Sequence, residues 1–138
     1  MALQPSRVKW RKPQKGVIRG HATRGNKVSF GDYGLQALEA SRITERQIEA
    51  CRVATQRIIP TSGKMYIRIF PHRSWSAIPL ETRMGKGKGE PEYFAAVVRP
   101  GTMLFELGNV PFELAKQAFA RAAQKLPIRC RLVTRREF

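Results

Sequence analysis

The chain has 138 residues, 42% of them apolar, with 26 Lys and Arg against 10 Asp and Glu, for a formal net charge of +16. That length suits one domain with a real core. A charge surplus of this size repels itself in the compact state, so a polyanionic partner is the natural complement, nucleic acid first and an anionic membrane surface second.

Residues 1–27 read as a basic, poorly periodic arm that orders only against something else. Arg7, Lys9, Arg11, Lys12, Lys15, Arg19, Arg24 and Lys27 all precede the first acid, Asp32. The stretch from Val28 to Leu38 carries β-formers punctuated by Gly31 and Gly34, which predicts a strand with a bulge or bend. Thr44-Glu45-Arg46-Gln47 is a capping box flanked by Ile43 and Ile48 as a hydrophobic staple. Ile48, Cys51, Thr55 and Ile58 then keep helical spacing, with Arg46 and Arg52 outward, until Pro60.

Residues 64–70 alternate, placing Met65, Ile67 and Ile69 on one face of a strand. Pro71 and Pro79 bracket a connector whose Trp75 is either core or contact. A Gly-Lys loop follows at 81–91. Residues 92–98 predict a long strand, Arg99-Pro100-Gly101 a turn, and 102–107 its hairpin partner. Pro111 suits the first turn of an alanine-rich helix that ends before Pro127. Residues 128–134 close the chain as a strand from which Arg129 and Arg131 project together. The sum is a single-domain α+β fold: a mixed or antiparallel sheet with two packed helices, the basic arm, and the flexible loop.

The charge concentrates in three places. The arm, the loop (Arg83, Lys86, Lys88) and the C-terminal run (Arg121, Lys125, Arg129, Arg131, Arg135, Arg136) together hold 17 of the 26 cations. A solvated face is the bland alternative, but clustering on this scale favours a polyanion. The loop itself, Arg83-Met84-Gly85-Lys86-Gly87-Lys88-Gly89, does not match a nucleotide site. A Walker loop needs G-x-x-x-x-G-K-[S/T], and no Ser or Thr follows either lysine to hold magnesium. A dinucleotide fingerprint needs G-x-G-x-x-G before a helix, and no helical pattern follows.

Catalytic signals are equally thin. Glu81, Glu90 and Glu92 near the loop have cationic neighbours that keep them ionised. His21 and His72 sit in no nucleophile–base pattern, and Cys51 and Cys130 lack zinc-site spacing and read as free thiols. No enzymatic activity, cofactor, metal or small-molecule substrate is expected. No apolar stretch approaches the ~20 residues of a membrane span, and no secretory signal is evident, so a soluble intracellular protein is the expectation, cytoplasmic with an organellar location as the alternative. Glycine lets the loop backbone approach a crowded phosphate surface, long cationic stems neutralise phosphates, and Arg83 adds a planar fork.

These residues form a recognisable set. The stretches 83–89 and 92–101, with 8–16, 29–38, 42–52, 63–71 and 122–128 in the same order, resemble the signature of the bacterial-type large ribosomal subunit protein sixteen family. That resemblance spans nearly the whole chain. It implies an alpha/beta-hammerhead fold and a structural, non-catalytic role in the large ribosomal subunit. The implied partners are large-subunit rRNA, A-site tRNA, P-site tRNA as a second candidate, and neighbouring ribosomal proteins. By position, the arm residues Arg7, Lys9, Arg11, Lys12, Lys15, Arg19, Arg24 and Lys27 would bind rRNA. Arg46, Arg52, Arg121, Lys125, Arg129 and Arg131 would join them. Residues Arg83 to Gly89, Met84 and Lys86 included, would reach towards the tRNA and the peptidyl-transferase RNA. The sequence departs from the family pattern at Ser6, at 60–63 and at 72–76, so individual rRNA contacts are expected to differ there. A generic basic binder of DNA or RNA and a nucleotide-dependent enzyme are the rival readings.

Overall fold

The computed structural model describes residues 4–85 and 87–135. Lys86 of the loop and Arg136 of the C-terminal run lie outside them. Among the described residues, seven strands and two helices follow in the order β1 (Tyr33–Ala37), β2 (Ser41–Thr44), α1 (Glu45–Gln56), β3 (Lys64–Ile67), β4 (Arg73–Ala77), β5 (Glu90–Val98), β6 (Met103–Gly108), α2 (Phe112–Ala123) and β7 (Cys130–Thr134).

The first helix begins where its local chemistry dictates. The Thr44 side chain accepts from Gln47 N at 3.2 Å, and the Gln47 side chain accepts from Thr44 N at 3.0 Å. Two of the four unpaired donors of the first turn are thereby satisfied. Ile43 and Ile48 on either side of the cap are fully buried, and Cys51 and Thr55 continue the inward stripe. Pro111 sits one position ahead of α2 as its N-cap, and the helix stops at Ala123.

Strand pairing departs from the expected single sheet. There are two sheets, a four-stranded one in the order β3-β6-β1-β7 and a three-stranded one in the order β2-β5-β4, with every pairing antiparallel. The expected hairpin between β5 and β6 does not form. A turn is present, since Thr102 N donates to Arg99 O at 3.1 Å. Gly101 N then donates to Ala37 O, and Met103 N to Gly25 O, so the chain crosses to the other sheet. Turn chemistry is local, whereas partner choice is set by which face must be buried. Residues 103–107 of β6 are buried without interruption, as an interior strand covered on both faces requires.

Three further expectations are corrected. The strand expected over 28–38 is ordered as a strand only over 33–37, with the irregularity between Leu35 and Gln36. The connector between Pro71 and Pro79 is itself strand β4, and β2 precedes the helix cap; both run under six residues, too short for a period-2 signal. The strand expected over 64–70 ends at Ile67, although Met65, Ile67 and Ile69 do pack on the core. That core lies between the sheets and the mutually packed helices. It includes Leu35, Ile43, Ile48, Val98, Phe105, Leu107 and Phe119.

Candidate nucleic-acid interface

Residues 4–27 contain no helix or strand, so their backbone groups must find other partners. They find them on the three-stranded sheet and the loop. Ser74 Oγ of β4 donates to Arg11 O, and an Arg73 guanidinium nitrogen to Gln14 O. Arg42 Nη2 of β2 donates to Lys15 O at 3.3 Å and Gly16 O at 2.8 Å. Further along, Ala22 N donates to Pro100 O at 2.9 Å. The arm is thus held chiefly by its carbonyls, which leaves its cationic residues solvent-accessible even where Lys12 reaches the loop and Lys15 lies over the Trp75 ring. Arg7, Lys9, Arg11, Lys12, Lys15, Arg19, Arg24 and Lys27 are all exposed.

The arm and the loop also meet. Lys12 Nζ donates to Lys88 O at 3.1 Å, and Lys88 Nζ donates back to Pro13 O. Lys12 lies 3.6 Å from Glu90, an exposed pair of little energetic weight. Loop geometry depends on its glycines. Gly87 takes φ 94°, a left-handed backbone that side-chain-bearing residues seldom adopt. At Gly89 a Cβ would meet Ala77 O at 2.5 Å, where β4 and β5 converge. Arg83 and Met84 are exposed at the tip, as is Leu80 before them.

The junction between arm and body is clamped by a carboxylate that the sequence did not single out. Glu106 on β6 is fully buried and accepts from Ser29 N at 3.0 Å, Phe30 N at 2.7 Å and Gly31 N at 3.0 Å. Arg68 pairs with the same carboxylate and stacks 4.9 Å over the Phe30 ring. Burial pushes the Glu106 carboxyl up, but the three backbone amides and Arg68 outweigh it and hold it below the usual carboxylate range. Its one signal in the sequence is a lone acid within the apolar run Met103–Leu107.

The other expected contacts are dispersed. Arg46 is exposed on α1, while Arg52 is tied to Glu49 and Gln56; the Arg52 hydrogen bond in turn lowers the Glu49 carboxyl. Arg121 and Lys125 line a groove with Arg57 at the ends of the two helices. Arg129 lies 3.7 Å from Glu39 and Arg131 Nε donates to Gln36 at 2.8 Å. Across the described residues only Lys12, Arg52, Arg68 and Arg129 reach a carboxylate. The other described cations have no carboxylate partner among the described residues, so their charge is available to a partner.

The two cysteines are free thiols, Cys51 buried and Cys130 partly so. Burial pushes the Cys51 thiol up to about 12 and Cys130 to about 11. Among the described residues no group of three or more His, Cys, Asp or Glu is placed to hold a metal ion, and no helix is long and apolar enough to cross a membrane.

The family described as Ribosomal protein L16p/L10e matches residues 5–133. The chain belongs to that family. Among its relatives is the large ribosomal subunit protein uL16 of Rhodopirellula baltica, 58% identical over 136 residues, covering 99% of both chains. The uL16 of Sulfurihydrogenibium sp. is 57% identical over 131 residues, 95% of each chain. That of Aquifex aeolicus is 54% identical over 138 residues, all of this chain and 97% of its own. The match to the family takes in the arm from residue 5 as well as both sheets and both helices.

Proposed function

We propose that this chain is a structural constituent of the large ribosomal subunit that binds its rRNA and carries out no catalysis. The observation that supports this most directly is the mode of attachment of the arm. The carbonyls of Arg11, Pro13, Gln14, Lys15 and Gly16 accept from Arg42, Arg73, Ser74 and Lys88, while the arm's cationic residues stay exposed and only Lys12 among them lies near a carboxylate. A surface of that kind neutralises phosphates in register along a backbone. Residues 1–27 then form the rRNA-binding arm of a globular body of the alpha/beta-hammerhead type, with Arg46, Arg52, Arg121, Lys125, Arg129 and Arg131 as additional contacts.

The loop from Arg83 to Gly89 is the part that reaches towards A-site tRNA and the peptidyl-transferase RNA, with P-site tRNA a second candidate. Peptide-bond chemistry stays with the RNA. The reciprocal Lys12 and Lys88 contacts support a coupling of arm and loop, so that rRNA seating the arm also orients the loop base. Tagging the protein in its own cells and sedimenting the lysate in moderate and then high salt tests this reading. Co-sedimentation with the large subunit through the high-salt wash is expected. A protein that stays at the top of the gradient, or washes off readily, returns the assignment to a generic polyanion binder.

A further inference from the structure

The outer face of the three-stranded sheet holds a site to which the charge pattern gives no clue. Trp75 of β4 and Tyr93 of β5 are register partners, so their side chains stand on the same face about 5 Å apart at Cβ. Arg42 approaches from β2, and Gly16 to Ile18 of the arm cross above. Together they line an open cavity of ≈ 570 Å³, within the size range of small-ligand clefts. Its lining contains no carboxylate.

The cationic groups are already arranged around the indole. Arg42 Cζ lies 4.5 Å and Lys15 Nζ 4.7 Å from the Trp75 ring centroid. Arg42 is fixed by the carbonyls of Lys15 and Gly16, yet its Nε is buried without a hydrogen-bond partner among the described residues. A buried guanidinium N–H left unpaired is costly unless an acceptor arrives. Lys15, by contrast, is an exposed residue held over the ring by no hydrogen bond of its ammonium among the described residues.

A flat aromatic face and a preset guanidinium lining one cavity, with an exposed ammonium beside the same ring, match a single chemical class. We propose that this cavity receives one unpaired nucleotide of the large-subunit RNA, its base stacked on Trp75 and its phosphate held by Arg42 and Lys15. Extruded bases stacked on sheet-borne aromatics are a general mode of RNA recognition. The inference rests on the rRNA-binding reading above and adds a stacking site to it. Trp75 lies in the 72–76 stretch, where individual RNA contacts are expected to differ from those the resemblance implies.

The sequence contains two tryptophans, Trp10 and Trp75, so W10F leaves Trp75 as the sole reporter. The W10F chain is titrated with protein-free large-subunit RNA, with filter retention reporting binding and indole emission reporting stacking. Emission is expected to fall as binding saturates. W75L, its fold checked by far-UV circular dichroism, is expected to bind about tenfold more weakly, as loss of one stacked base implies. Its salt slope should match the parent, since no cation is removed. Unchanged emission at saturating retention overturns the stacking site while leaving rRNA binding intact. If the RNA is not retained at all, the rRNA-binding reading fails and the nucleotide site falls with it.

Discussion

Replacing Glu106 with alanine removes the one acceptor shared by three consecutive amides and a guanidinium. Gly31 is buried, so its N–H loses its partner out of reach of bulk water, at about 1–3 kcal/mol. Ser29 and Phe30 are exposed residues, and water can replace much of what they lose. Arg68, with its side chain 18% exposed, is left as a largely desolvated charge; removing one partner of a buried ion pair costs about 3–5 kcal/mol in all. We take about 4 kcal/mol as the expected loss, a large share of the roughly 5–15 kcal/mol that holds a domain together. For a chain of this size that lowers the melting temperature by about 10–15 °C. Urea unfolding followed by circular dichroism measures it directly. A loss within about 0.5 kcal/mol, the range of ordinary surface substitutions, would refute the claim that this carboxylate clamps the arm to β6.

The same group sets an acid limit. Its folded carboxyl titrates below its unfolded value, which is about 4.3 for glutamate. Its contribution is therefore present above that pH and lost as pH falls through the lower, folded value. Glu106→Gln should flatten the melting temperature against pH in that acid window, and a wild-type slope there would count against the assignment.

Three further outcomes are expected. Thr44→Ala removes the cap of α1 and should cost about 0.5–2 kcal/mol in chemical unfolding, with far-UV helicity largely kept. Gly89→Ala drives a Cβ to 2.5 Å from Ala77 O and should cost about 1–3 kcal/mol; faster amide exchange at the β4–β5 end would accompany it. Cys51, buried with its thiol held up at about 12, should resist alkylation in the native protein at neutral pH and react at once in denaturant. Rapid native labelling would show that α1 and α2 open far more readily than their packing implies.

Much of the fold was legible wherever its cause is local. The capping box, the inward stripe of Ile48, Cys51 and Thr55, the alternation of Met65, Ile67 and Ile69, and the turn at Arg99–Thr102 rest on spacings of four residues or fewer, or on strict period 2. Strands β2 and β4 escaped because four or five residues carry too little period to stand out. The Trp75 site escaped because its members, Lys15, Arg42, Trp75 and Tyr93, are spread across some eighty positions of the chain.

What the amino-acid sequence determines by itself is the chemistry on offer: a surplus of positive charge in three clusters, a glycine-rich loop, and the capping box that starts α1, whereas α1 ends at Gln56 and α2 at Ala123, each three residues short of the proline-bounded stretch the sequence predicts. What only the tertiary structure decided is which of these meet. It sent β5 and β6 to different sheets, brought Lys12 against Lys88, and placed Glu106 under the amides of 29–31. Pairing between distant segments is selected by the burial of whole faces and by the satisfaction of backbone groups there. No residue's local preference encodes that choice, because it exists only once the other segment is in place.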